Sequence, residues 1–362
     1  MRLSLEDAGT AVFLALGILL LVLGPTMIGL FELLTLTKYL ILSLFAMSLA
    51  YIWGFGGIIS FGQSAFFGLG GYAFGVAGLN MIGDTTTPLL LSVGISAAFA
   101  AALGYFMFFG RLTEVYMGIV TLVVTLILFK LIGHTAGSEY AIGVARLGGF
   151  NGMPSLPILV DPFTGEEMWP ETMFQVVLGL LLAVYLMLKL IQKSRFGRVC
   201  LAIANNETRA SLLGYDVRLH KVAMFAIGGG IAGLAGGLYA SNETFIDPNA
   251  LTLIMSAQCL VWVMVGGVGT YIGPILACCA LNYLAVWLGG VDWGLGSFEL
   301  ENQFIVGTIL LIIVLALPKG LVPTIRDRIF PHWPHLRGPE ARASGGAPPA
   351  EPGAAKPLER SA

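Results

Sequence analysis

The 362-residue chain is 57% hydrophobic and 11% charged, with a formal net charge of −2. Soluble domains have about a quarter of their residues charged, so most soluble folds are excluded, and no basic patch with interleaved aromatics marks a nucleic-acid binder. Apolar runs of about 20 residues recur along the sequence, each long enough to cross a hydrocarbon core of about 30 Å as a helix. The expected fold is all-α: a polytopic membrane helix bundle of about ten transmembrane segments.

The spans are expected at 11–30, 33–53, 59–78, 88–109, 115–133, 173–192, 222–240, 251–266, 271–289 and 303–318. The first follows MRLSLEDAGT, with Glu6 and Asp7, and is too long for a signal-peptide core, so a retained anchor is expected. Lys38 and Lys130 fall inside apolar runs near segment ends, where a long side chain can snorkel to the headgroups.

Residues 51–75, YIWGFGGIISFGQSAFFGLGGYAFG, crowd glycines and aromatics together. In lipid, close approach through small residues is the main source of helix association. Gly68, Gly70, Gly71 and Gly75 therefore read as contact points for neighbouring backbones, with Phe61, Phe66, Phe67, Tyr72 and Phe74 filling the remaining volume. Ser60, Gln63 and Ser64 are polar groups inside this apolar run. At such depth they bond to another helix or face a water-filled path, which makes them candidates for a translocation path.

The connection 193–221, KSRFGRVCLAIANNETRASLLGYDVRLHK, carries Lys193, Arg195, Arg198, Arg209, Arg218 and Lys221. The positive-inside rule places it in the cytoplasm. Alternation then puts 134–172, 241–250 and 290–302 outside, and these hold Glu139, Asp161, Glu243 and Asp247 among other acids against Arg146 as their basic residue. It puts Arg2, Arg111 and the cluster Lys319, Arg326, Arg328, Arg337 inside, so both termini are expected in the cytoplasm. Within the loop, Phe196, Val199, Ala202 and Ile203 recur at helical spacing, and Asn205 or Asn206 can cap a second short helix ending at Gly214. Such a pair either anchors topology or docks a soluble partner.

A second glycine-rich turn lies in WVMVGGVGTYIGPILACCALNYL, 262–284, where Gly266, Gly267, Gly269, Thr270, Gly273 and Pro274 can interrupt a helix. Thr270 joins the candidate path residues, and the two stretches together read as a degenerate internal repeat with broken helices in corresponding positions. Cys200, Cys259, Cys278 and Cys279 lack CxxC spacing and read as small buried residues. Residues 338–362 are low in complexity and expected to form a disordered cytoplasmic tail.

Three motifs, WGFGGIISFGQSAFFGLGGYAFG, SRFGRVCLAIANNETRASLLGYDVRLHKVAMFAIGGGIAGLAGGLYA and WVMVGGVGTYIGPILA, in this order and spacing resemble the LivM-type permeases of branched-chain amino acid ABC importers. The similarity runs from about residue 35 to about residue 320. It implies that residues 1–330 are a transmembrane permease domain whose cytoplasmic loop, 193–221, couples to a separate ATP-binding subunit. On that resemblance Arg198, Ala202, Glu207, Ala210 and Gly214 form the coupling element. This chain has Ala204 where family members commonly carry a basic residue, and its Glu207-to-Gly214 spacing is one residue longer than the general importer pattern.

The resemblance further implies a second homologous permease subunit, two ATP-binding subunits and a soluble substrate-binding protein as partners, with the lipid bilayer of a bacterial cytoplasmic membrane as the surroundings. Branched-chain or other hydrophobic amino acids are the expected substrate, with urea or short-chain amides as the alternative, since importers of those use similar permeases. The residues themselves agree with an external energy source. No GxxxxGK[ST] phosphate loop occurs, and the expected bundle core has no buried Asp, Glu or His for ion coupling. A passive channel or secondary carrier is the competing class. No HExxH, GxSxG or paired membrane carboxylates occur, and His134, His220, His332 and His335 fall in loops or the tail. No catalytic, cofactor or metal role is expected.

Overall fold

A computed structural model describes residues 5–289 except 82, 138 and 163, together with Gly320. The segment expected at 303–318 and the tail at 338–362 lie outside the described residues. The helices are α1 (Leu5–Met27), α2 (Leu30–Gly56), α3 (Gln63–Asn80), α4 (Thr86–Phe109), α5 (Glu114–Gly133), α6 (Pro170–Lys193), α7 (Arg195–Asn205), α8 (Glu207–Leu212), α9 (Val217–Glu243), α10 (Leu253–Gly266) and α11 (Ile272–Gly289). Each expected span up to residue 289 coincides with one of them. Six helices among the described residues are long and apolar enough to cross a membrane: α1, α2, α4, α5, α6 and α9.

The bundle is layered around α2 and α9. α2 has most of its length buried, and α9 lies against α2, α3 and α4. Where α3 crosses α9 the backbones touch: a Cβ on Gly70 would overlap the Gly233 backbone, and one on Gly236 would overlap the Phe67 carbonyl. The aromatics of the same stretch fill the flanks, Phe67 against Phe45 with ring centroids 4.7 Å apart and Phe66 edge-on to Phe225 at 5.3 Å. α1 is mostly exposed in the isolated chain and touches α6 through Gly17 on Leu182 and Gly24 on Phe174.

Two departures from regular spans shape the interior. The expected span at 59–78 begins as a helix at Gln63, because Gly57 closes α2 in the left-handed region (φ 65°), its N–H bonded to the Trp53 carbonyl, and the chain runs non-helically to Gly62. α10 has 14 residues, about 21 Å of helix, which is short of a hydrocarbon core of about 30 Å. Its approach is an irregular segment, strand β4 (Phe245–Ile246) and a 3-10 turn Pro248–Leu251. Ile246 meets Gly71 and Leu251 meets Gly68 on α3. Gly68 lies 12 residues before Asn80 at the end of α3, about 18 Å along the helix axis, so this backbone runs deep among the helices.

The connection between α5 and α6 caps one end of the bundle. It contains a hairpin of β1 (Ala141–Ile142) with β2 (Ala145–Arg146), and β3 (Met153–Pro154), which pairs antiparallel with β4 in the register Met153 to Ile246. Asn80 fastens the hairpin to α3, donating from Nδ2 to the Ile142 carbonyl (2.8 Å) and accepting from Val144 N–H at Oδ1 (3.0 Å). At the same end Lys38 does not simply snorkel. Its Nζ is 3.1 Å from Glu243 Oε2 and 5.6 Å from the Tyr239 ring centre, tying α2 to the end of α9. The opposite end carries α7 and α8.

The crossing of α3 and α9 leaves no room for a methyl group. Gly236→Ala is expected to destabilise the detergent-solubilised chain by about 1–3 kcal/mol. Gly94→Ala, on α4 with nothing within 4 Å of the added carbon, is expected to be neutral or to stabilise by up to about 1 kcal/mol. Matching thermal denaturation curves for the two variants would refute the close-approach role.

Candidate functional site

Ser60, Gln63 and Ser64 are all fully buried. They sit where three helices meet: α2 passing by, α3 starting and α10 starting. The first N–H groups of a helix have no partner within it, and Ser64, second in α3, finds one across the interface: its N–H donates to Ser256 Oγ of α10 at 3.0 Å. Ser256 Oγ in turn donates to Ser64 Oγ (2.7 Å), which donates to the Thr252 carbonyl (2.9 Å). Thr252 also caps α10, its Oγ1 accepting from Met255 N–H. On the other side Gln63 Nε2 donates to Ser48 Oγ of α2 at 2.9 Å, and Ser48 Oγ donates to the Phe45 carbonyl at 2.6 Å.

This network leaves hydrogen-bonding capacity over. Gln63 Oε1 and Ser60 Oγ are buried without a hydrogen-bond partner among the described residues. Nearby Phe61 N–H donates to Thr121 Oγ1 of α5 at 3.2 Å, which brings a fourth helix to the cluster. Ser48 is eight residues from the end of α2, about 12 Å along the axis. Polar side chains with spare capacity thus lie well inside the apolar bundle and carry no formal charge. Sequence reasoning finds three of them. Ser48 and Ser256 escape it, because each is one small polar residue in a long apolar run and its role depends on a distant partner.

Thr270 lies elsewhere, in the α10–α11 turn, where its Oγ1 donates to the Gly267 carbonyl at 2.8 Å. This turn rests on the end of α2: a Cβ on Gly54 would come within 2.6 Å of Gly269 N. The two glycine-rich stretches therefore meet through their turns, while the polar cluster is built from the starts of α3 and α10.

The loop 193–221 folds as two short helices, each capped by a local side chain. Ser194 Oγ accepts from Gly197 N–H for α7, Asn206 Oδ1 from Arg209 N–H for α8, and Asp216 from Arg218 and Leu219 N–H for α9. Cys200 and Ile203 turn inward, and burial pushes the Cys200 thiol up to about 12, so it is no reactive thiolate. Ala204 rests on Gly57, its Cβ 3.5 Å from where a Cβ on that glycine would stand. Of the five coupling candidates, Arg198, Ala202, Glu207 and Gly214 are exposed and Ala210 is buried within the chain's own packing. Gly214 has φ 87°, a conformation that glycine adopts without strain. Glu207 forms an ion pair with Lys221, joining α8 to α9. Leu212 and Leu213, 82% and 71% exposed, stand out beside these residues. Sequence reasoning passes over this apolar pair, although two leucines in a polar loop are a signal.

The chain matches the family described as branched-chain amino acid transport system / permease component over residues 29–315. It is 27% identical to the high-affinity branched-chain amino acid transport system permease protein LivM of Escherichia coli, over 88% of this chain and 76% of that protein. It is 26% identical to a probable LivM of Methanocaldococcus jannaschii, over 77% of this chain and 89% of the relative. A shorter stretch, 38% of this chain, is 34% identical to the autoinducer 2 import system permease protein LsrC of Salmonella typhi, covering 39% of that protein. No solved structure gives a significant match.

Removing the Ser256 hydroxyl strands the Ser64 N–H in an apolar interior. Ser256→Ala is expected to cost about 1–3 kcal/mol in thermal denaturation. Thr26→Ala, which deletes an exposed hydroxyl bonded to its own helix, is expected to change stability by less than about 0.5 kcal/mol. A silent Ser256→Ala would show that the network contributes nothing.

Proposed function

The chain belongs to the branched-chain amino acid transport system permease family, and from that premise we propose that it is the membrane subunit of an ATP-driven importer for branched-chain or other hydrophobic amino acids. Hydrolysis takes place on two ATP-binding partner chains. A second homologous permease completes the path, a soluble binding protein delivers the substrate, and the assembly sits in a bacterial cytoplasmic membrane. Counting 303–318, the chain crosses that membrane ten times with both termini inside, residues 1–330 forming the permease domain. The charge asymmetry of the connections supports this orientation.

One observation carries the mechanism: α7 rests on the turn that leads to the polar cluster. Ala204 lies beside Gly57, with room for one methyl between them, and the chain continues from Gly57 to Ser60, Gln63 and Ser64. Glu207 and Lys221 hold α8 to α9, and α9 crosses α3 backbone to backbone. A displacement of α7 and α8 by an ATPase that changes shape is thereby delivered to the place where α2, α3 and α10 meet. Coupling of this kind requires the two permease states to differ in affinity for the two ATPase states. Arg198, Ala202, Glu207 and Gly214, with Leu212 and Leu213, form the docking face. Ser60, Gln63 and Ser64, with Ser48 and Ser256, line the path, and Thr270 stands at its α7 end. Uncharged hydroxyls and an amide suit a small polar or zwitterionic solute that leaves its charges compensated by itself.

The test is uptake of labelled leucine and labelled urea by proteoliposomes holding the complete complex and its binding protein, with and without internal ATP. ATP-dependent leucine uptake is expected. Urea uptake alone would assign the amide branch, and ATP-independent uptake of either would make the protein a channel or carrier. In the same system Leu212→Asp with Leu213→Asp is expected to weaken ATPase association about tenfold or more. Glu207→Ala should reduce ATP-coupled uptake with membrane insertion intact, and Gln63→Leu should change uptake kinetics in a folded complex. Unaltered kinetics for Gln63→Leu would return the cluster to a packing role.

A further inference from the structure

Between the α4–α5 turn, α8 and the start of α9 lies an open cleft of about 480 Å³, within the range of ligand-binding clefts. Arg111, Arg218 and Lys221 line it together with the carboxylate of Glu207. Lys221 is buried and already paired with that carboxylate. Arg111 and Arg218 have no acidic partner among the described residues; the Arg218 guanidinium leans on the Phe109 ring, 5.7 Å from its centre. Thr113 and Thr208 add hydroxyls to the same walls.

Arg111 is an unusual residue for its position. It stands just past the end of α4 with φ 53°, in a tight turn where Gly110 N–H bonds to the Phe106 carbonyl and Leu112 N–H to the Met107 carbonyl. Glycine is the usual occupant of such a left-handed helix terminus, and a side chain there is held against steric resistance. The turn thus presents a guanidinium to the cleft where the backbone alone would favour no side chain.

The surroundings identify the ligand. α4 and α5 are both long and apolar enough to cross a membrane, and the turn between them marks the edge of the apolar belt. Near the turn, Tyr105, Phe106, Val115 and Tyr116 are exposed on these two helices. A ligand there has its charged part among cations and its remainder along an apolar wall. Planar guanidinium groups match phosphate oxygens in pairs, and cations at a membrane edge are drawn to anionic headgroups.

We propose that the cleft between the α4–α5 turn and the α8–α9 junction binds the phosphate of an anionic phospholipid, held by Arg111 and Arg218, with the acyl chains along α4 and α5. The bound headgroup bridges the bundle to the segment that carries Glu207, so membrane composition acts on the position of α8.

The test is native mass spectrometry of the full chain released from nanodiscs of phosphatidylcholine with phosphatidylglycerol. The wild type is expected to retain phosphatidylglycerol over phosphatidylcholine. Arg111→Gly, which suits the backbone at that turn, and Arg218→Gln are each expected to reduce that retention about fivefold. Unchanged retention in both variants would overturn the site. In a second arm, inorganic phosphate is added to the protein in phosphatidylcholine alone. An Arg111-dependent rise in thermal stability there would assign the cleft to free phosphate and overturn the lipid as ligand. Loss of ATPase association by Arg111→Gly in pure phosphatidylcholine, with phosphatidylglycerol retention unchanged, would give the cations to a protein partner and equally overturn it.

Discussion

Burying one apolar helix against another gains little in a hydrocarbon solvent, so the bundle depends on how closely its backbones approach. The approach is set at the crossing of α3 and α9, where Gly70 and Gly233 meet and Gly236 lies under the Phe67 carbonyl. Everything else is arranged around that contact. α4 packs against both helices, its Ser96 lying at Gly233 and donating to the Phe66 carbonyl, Phe66 and Phe67 fill the space beside the crossing, and α2 closes against α9 through Gly228 and Ile52. Dispersion falls steeply with distance, so a gap of about 0.5–1 Å at such a crossing forfeits roughly a quarter to a half of the attraction.

The polar cluster is a consequence of the same constraint. Backbone groups at membrane depth must find partners inside the protein, and two helices that begin there, α3 and α10, bring unpaired N–H groups with them. Ser256 and Thr252 answer part of that demand, while Gln63 Oε1 and Ser60 Oγ remain available. A site with spare hydrogen-bonding capacity inside an apolar bundle follows from beginning two helices at half depth. Toward the α7 end small residues lie close together, Ala204 beside Gly57 and the Gly54 backbone against Gly269.

Much of this is legible in the sequence because it is local. Apolar runs mark the helices, Asn205 or Asn206 marks the cap of α8, which the structure gives to Asn206, and the glycines of 68–75 mark the contact face of α3. What escapes depends on pairs far apart in the chain. The start of α3 at Gln63 requires knowing that Gly57 closes α2, and the partnerships of Ser48 and Ser256 span 15 and 192 residues. Lys38 with Glu243 is a pair of the same kind, invisible to periodicity. The buried state of Ala210 cannot be told from the exposed state of Ala202, since both are alanines in an amphipathic loop and the difference lies in which face turns inward.

The shortness of α10 bears on how the chain is assembled. A helix of 14 residues preceded by irregular backbone is a poor candidate for insertion into lipid by itself, because the carbonyls and N–H groups of its approach would meet hydrocarbon unpaired. The surfaces that cover this approach, Gly68 and Gly71 on α3 and strand β3, all precede it in the sequence. The ribosome therefore delivers the walls before the segment that needs them. Insertion of α10 is thereby tied to walls that α3 and β3 supply.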